Sequence, residues 1–105
     1  MADEATIIFN YEKAIKQADE LVGIAKEVRK VVNANIAESL TAIDKNWDGE
    51  NSVKFIKKGN VLKGKISDSA DDIEKIAGDI RIMAKRIYDA EMEAIRIARQ
   101  RAAAQ

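Results

Sequence analysis

Asp44-Lys45-Asn46-Trp47-Asp48-Gly49-Glu50-Asn51-Ser52 is the one cluster of turn formers in the chain, and it sits close to the midpoint of 105 residues. Gly49 takes a left-handed backbone at low cost, while Asn46 and Asp48 have short side chains suited to nearby backbone amides. Asp48, Asn51 and Ser52 are each candidates to cap a helix that follows. On the N-terminal side, Tyr11, Ala14, Ile15, Ala18, Leu21, Val22, Ala25, Val28, Val32, Ile36, Leu40 and Ile43 recur at steps of three and four. That spacing predicts a long amphipathic helix, with Asn10 as its N-cap and a length of roughly 50 Å at 1.5 Å per residue.

On the C-terminal side the pattern is more regular. Phe55, Gly59, Leu62, Ile66, Ser69, Ile73, Ile76, Ile80, Met83, Ile87, Ala90, Ala94 and Ile97 occupy alternate steps of three and four, a nearly unbroken heptad seam. Phe55, Leu62, Ile66, Ile73, Ile76, Ile80, Met83 and Ile87 are its expected helix-packing residues. Gly59 and Ser69 leave gaps into which a facing backbone or large side chain fits. Past Ile97 the seam gives way to Arg99, Arg101 and an alanine-rich end, expected to fray.

Two long helices joined by a short link become antiparallel neighbours. The expected fold is all-α, a single hairpin domain over 1–105, with helix 1 at about 10–45, a turn at 46–51 and helix 2 at about 52–100. A hairpin buries one stripe per helix, yet Ile24, Val31, Ile56, Val61, Ile82 and Ile95 lie off both seams. This surplus predicts a second apolar face and pairing of hairpins into a dimeric four-helix bundle.

Composition narrows the function. The chain has no Cys, so neither a disulfide nor a thiolate metal site braces it. It has no His, which removes the usual general base, the Ser-His and Cys-His nucleophile pairs and the commonest zinc ligand. No enzyme activity, catalytic residue, cofactor or resident metal is expected. The absence of Pro and the presence of only five Gly suit long helices. Lys plus Arg and Asp plus Glu balance at 18 each, so no global field draws the chain to nucleic acid or to an anionic membrane. The acidic start, Asp3-Glu4, followed by the short apolar run Ile7-Ile8-Phe9, is unlike a signal peptide, and no stretch approaches the ~20 apolar residues of a membrane span.

A chain of this length, with two long helices, Trp47-Asp48-Gly49 at the midpoint and the aromatic Phe55 early in the second helix, resembles the WXG family of small type VII (ESX-like) secretion substrates. The resemblance covers the architecture of the whole chain, with residue identity confined to these few positions. It implies a small secreted substrate or targeting adaptor that acts by protein–protein interaction. Such a protein leaves the cytoplasm for the cell surface or medium as a folded dimer, without a cleaved signal peptide. The implied partners are a second copy, a related helical hairpin or a toxin N-terminal domain, together with a secretion ATPase. Trp47 and Gly49 are the implied recognition residues at the turn. The family's export signal, a Tyr followed four residues later by an acid, has its nearest counterpart at Tyr88. The fourth residue on is Met92, flanked by Glu91 and Glu93, so the implied signal is a variant such as Ile87 with Glu91, or is carried by a partner.

Two other readings compete. The chain also reads as a coiled-coil assembly module in which Trp47 closes the hairpin against Ile43 and Phe55. Asp44-x-Asn46-x-Asp48-Gly49 matches the first half of an EF-hand calcium loop, which makes a calcium-responsive helix-loop-helix the other alternative. Its twelfth position, where a bidentate Glu belongs, is Phe55. Lys54, Lys57, Lys58, Lys63 and Lys65 precede Asp68, Asp71, Asp72, Glu74 and Asp79; this is read as a solvated face whose two blocks can meet across an antiparallel dimer. Glu91, Glu93, Arg96 and Arg99 are spaced for ion pairs that support the last turns.

Overall fold

The computed structural model describes residues 3–104 and is an all-α helical hairpin. The first arm comprises α1 (Glu4–Lys30), a π-helical stretch (Val31–Ile36) and α2 (Ala37–Asn46); α3 (Glu50–Ala104) is the second arm. The link is Trp47-Asp48-Gly49, tighter than the expected 46–51.

α1 begins six residues before the expected start. Its cap is Asp3, whose Oδ1 accepts a 2.8 Å hydrogen bond from the Thr6 amide, so Asn10 is not the N-cap and lies inside the helix. Glu4 in the first turn adds a favourable charge at the positive end of the helix dipole. Ile7-Ile8-Phe9 thereby become helical, with Ile7 in the core.

The chain divides into two compact units, one of residues 21–75 containing the turn and one of 3–20 with 76–104 containing the open end. In the turn unit the buried positions are Ala25, Val32, Leu40, Ser52 and Ala70. Leu40 fills the gap at Gly59 so closely that a Cβ built there would lie 2.5 Å from its Cδ2. In the open-end unit they are Ile7, Ala18, Ala77, Ala84 and Ile95. The core is therefore thin, with Ile7 and Val32 its two largest fully buried side chains among the described residues.

The structure corrects the expected seam. The arms meet on small residues, Ala18 and Ala25 on the first and Ala70, Ala77 and Ala84 on the second, because alanine lets helix backbones approach closely. Of the expected packing residues, Ile66, Ile73 and Ile80 are half-buried, whereas Phe55, Leu62, Ile76, Met83 and Ile87 are each 51% to 58% exposed. Ile95, expected off the seam, is core.

The π-helical stretch accounts for one irregularity. Ala18, Ala25 and Val32 are buried at intervals of seven, but the next buried position is Leu40, eight residues on. A π turn accommodates one extra residue, which keeps Leu40 on the face that the heptad would have given to residue 39.

Candidate functional site

At the turn, the Trp47 amide donates to the Ile43 carbonyl at 2.9 Å and the Asn46 Nδ2 donates to the Ala42 carbonyl at 2.8 Å, closing α2. Trp47 is extended (φ −137°, ψ 110°), and Gly49 has φ 111°, a conformation that an L side chain rarely adopts. The Gly49 carbonyl accepts from the Val53 amide at 3.3 Å and from the Ser52 Oγ at 2.8 Å. Ser52, one of the three capping candidates, is no cap: it lies within α3, and its buried hydroxyl donates back to the Gly49 carbonyl. Trp47 packs on Phe55 with ring centroids 6.0 Å apart and tilted by 56°. It remains 46% exposed, with Val53 and Phe55 beside it also exposed, so the tip presents an apolar aromatic surface rather than a sealed plug.

The same geometry overturns the calcium-loop reading. Asp44 and Asn46 belong to the last turn of α2, and positions 50–55 are helical, so the twelve-residue loop that would converge its oxygens is not formed.

Further from the tip, Arg29 reaches across the hairpin to Glu74 and to Asp71, the latter at 2.5 Å. The Glu74 hydrogen bond, followed by that of Asp71, raises the guanidinium further above its already high pKa, and the group stays charged. The acids Asp71 and Glu74 are thus paired within the chain while remaining open to solvent.

In the open-end unit, Tyr11 and Tyr88 stack at 4.9 Å and Lys85 Nζ sits 5.3 Å from the Tyr88 ring centroid. Tyr88, Ile87 and Glu91 line one shallow groove of about 160 Å³ together with Tyr11 and Ile7. The variant signal residues are therefore side by side, and Tyr88 is half-buried. Met92 opens into a neighbouring groove of about 510 Å³ bounded by Glu4, Arg96 and Arg99. Asp19 pairs with Arg81 at 2.6 Å, Glu4 with Arg99 at 3.2 Å and Glu93 with Arg96 at 2.6 Å. The Arg96 hydrogen bond holds the Glu93 carboxyl below the usual carboxylate range. Of the four charges expected to pair locally, only Glu93 and Arg96 do so. The helix continues through Ala104 where fraying was expected.

Tyr11 was read as a seam residue, and sequence reasoning missed its pairing with Tyr88, although the two lie near equal distances from the turn. Among the described residues no cluster of three metal-ligating acids occurs, and no helix is long and apolar enough to cross a membrane. No known family model, curated protein or solved structure matches the chain.

Proposed function

We propose that the chain is a small substrate or targeting adaptor of a type VII (ESX-like) secretion system, working through helix faces and an exposed turn. The observation that carries the reading is the turn itself. Trp47-Asp48-Gly49 links two long antiparallel arms, with Gly49 in a glycine-favouring conformation and Trp47 exposed against Phe55. A tryptophan needed only for packing gains most by full burial; half of this one stays available to a partner. The partner on the helix faces is a second hairpin, its own copy or a related chain, and a secretion ATPase engages the tip or the Tyr88 and Glu91 groove.

The test is secretion of Trp47→Ala from a host with the cognate machinery, alongside circular dichroism and size measurement of the purified protein. Lost export with helicity and assembly intact supports recognition at the tip. Unchanged export sinks it. The second reading, a coiled-coil assembly module, draws on the exposed aliphatic residues of α3 and is favoured if Trp47→Ala changes stability alone.

A further inference from the structure

Asp48-Gly49 is the one place in the chain where an aspartate precedes a glycine, and the fold leaves that pair outside both arms. Asp48 is exposed, and the nearby Lys54 ammonium is paired with Glu50 instead. The Gly49 carbonyl accepts from Ser52 and Val53, but among the described residues the Gly49 amide donates to nothing. A Cβ at Gly49 would meet nothing within 4 Å, so the space beside its amide nitrogen is open. A free carboxyl, an unengaged amide on the next residue and no side chain on that residue are together what an aspartate needs to close on its own main chain.

The other described aspartates are held away from this chemistry. Asp3 apart, all are helical. Ring closure requires Cβ to eclipse the next amide nitrogen across the Cα–C bond, which a helical ψ of about −42° prevents, and helical amides are already bonded four residues back. Asp3 lies before α1, but its carboxylate accepts from the Thr6 amide and Glu4 follows it. The asparagines are all helical as well.

We propose that Asp48 is a self-modification site at which the turn converts to an isoaspartyl linkage. The Gly49 nitrogen attacks Cγ of the Asp48 acid; the Cγ–N bond forms, and the carboxyl hydroxyl leaves with the amide proton as one water. Water then adds back to one of the two carbonyls of the resulting succinimide. Addition at Cγ breaks the new bond and restores aspartate. Addition at the main-chain carbonyl carbon breaks the original peptide bond, so the chain runs through Cβ and Cγ and the carboxylate is left on Cα. No oxidant or reductant takes part, and the mass returns to its starting value. The product carries one extra methylene in a link formed by Trp47, Asp48 and Gly49 alone, and it presents an α-carboxylate to enzymes that methylate isoaspartate. Trp47 is the adjacent side chain, so the change acts on the apolar tip while each arm keeps its own hydrogen bonds. The chemistry needs no secretion machinery and stands apart from the functional reading above.

The experiment incubates the full chain at neutral pH and physiological temperature for several weeks. Isoaspartate is counted by methyl labelling with a purified isoaspartyl carboxyl methyltransferase and S-adenosylmethionine, then located by peptide mapping. Label is expected at Asp48, on the order of ten-fold or more above any other aspartate. Label spread evenly over the aspartates, or missing from Asp48, overturns the proposal. Asp48→Glu keeps the charge but lengthens the ring to be closed, and its label should fall to background; undiminished label in that variant also overturns it. A parallel incubation in concentrated urea separates fold from sequence. Asp48 should react at a similar rate in both conditions, while Asp68, which precedes Ser69 within α3, gains label only in urea. A rate at Asp48 on the order of ten-fold slower in the folded chain would mean that the turn shields the bond, and refutes the proposal. The isomerised chain, separated by chromatography, should keep its helical spectrum and shift the emission of Trp47; unchanged emission refutes the effect on the tip.

Discussion

Gly59 and Gly64 lie five residues apart on α3, and replacing each with Ala isolates the contact between the arms. Glycine inside a helix costs about 0.8 to 1.0 kcal/mol relative to Ala. At Gly64 a Cβ meets nothing within 4 Å, so Gly64→Ala should gain nearly that full amount, some 4 to 8 °C in midpoint for a domain of about this size. Gly59→Ala has the same intrinsic gain, but its Cβ falls 2.5 Å from Leu40 Cδ2 and 3.2 Å from Cδ1. Leu40 is buried, and displacing it carries an overpacking cost of about 1 to 3 kcal/mol. The net effect should run from neutral to about 2 kcal/mol destabilising, always below Gly64→Ala. Leu40→Ala removes all the clashing atoms at a cost of about 2 to 5 kcal/mol, and in that background Gly59→Ala should recover its gain of about 1 kcal/mol. Denaturant melts followed by circular dichroism measure all four proteins and give the coupling directly. If Gly59→Ala stabilises the wild type as much as Gly64→Ala does, Leu40 does not pack on Gly59 and the assigned register of the arms is wrong.

Deleting Asn33 should convert the π turn to ordinary α-helix and bring Leu40 to the seventh residue after Val32, with the hairpin retained; loss of cooperative unfolding would refute the one-residue account of that stretch. Phe55→Ala should red-shift the emission of Trp47 and cost about 1 to 3 kcal/mol, the ~0.5 to 1.5 of the aromatic pair added to the burial of roughly half a phenylalanine side chain. The carboxyls of Asp3, held down mainly by the Thr6 hydrogen bonds, and of Glu93, held down by Arg96, stabilise the fold above their unfolded pKa values. That contribution should persist at neutral pH and be lost as pH falls through their lowered folded values, below about pH 4, with amide exchange rising first in the terminal turns of α1 and α3.

The existence of two arms and a midpoint turn was legible because the turn formers cluster in one place and the apolar spacing on either side is helical. Boundaries were less so. Asn10 and Asp3 are both acceptable caps, and the choice depends on whether Ile7 finds a core, a tertiary fact. The seam was misread for a related reason. Periodicity assigns weight by hydrophobic size, so Leu62 and Ile76 outranked Ala70 and Ala77, although an alanine repeat at sevens was present as a signal for close packing. Trp47, Gly49 and Phe55 were placed at the tip by sequence order alone. Tyr88 was identified, but its burial against Tyr11 depends on how the arms align, which no local pattern carries. The π turn left one trace, the eight-residue step from Val32 to Leu40.

α3 carries two sets of apolar residues. Ala70, Ala77 and Ala84 are buried against the first arm, while Leu62, Ile76 and Met83, also spaced at multiples of seven, stay more than half exposed. A seven-residue spacing drifts about 20° per heptad on an α-helix. Along one row, Ile66, Ile73 and Ile80 are half-buried while Ile87 is exposed, in the sense of this drift. The alanine face therefore follows the first arm, and the large aliphatic residues beside it are left half exposed. Adjacent residues separate the two roles. Ala77 is fully buried, so Ala77→Leu should destabilise the hairpin by about 1 to 3 kcal/mol or more through overpacking. Ile76 is 53% exposed, so Ile76→Ala should cost an isolated hairpin only about 1 kcal/mol while weakening its self-association. Thermal melts at a concentration that holds both proteins monomeric, paired with sedimentation at higher concentration, test this. If Ile76→Ala unfolds the monomer as severely as Ala77→Leu, the heptad row is part of the hairpin's own core and no face remains for a partner.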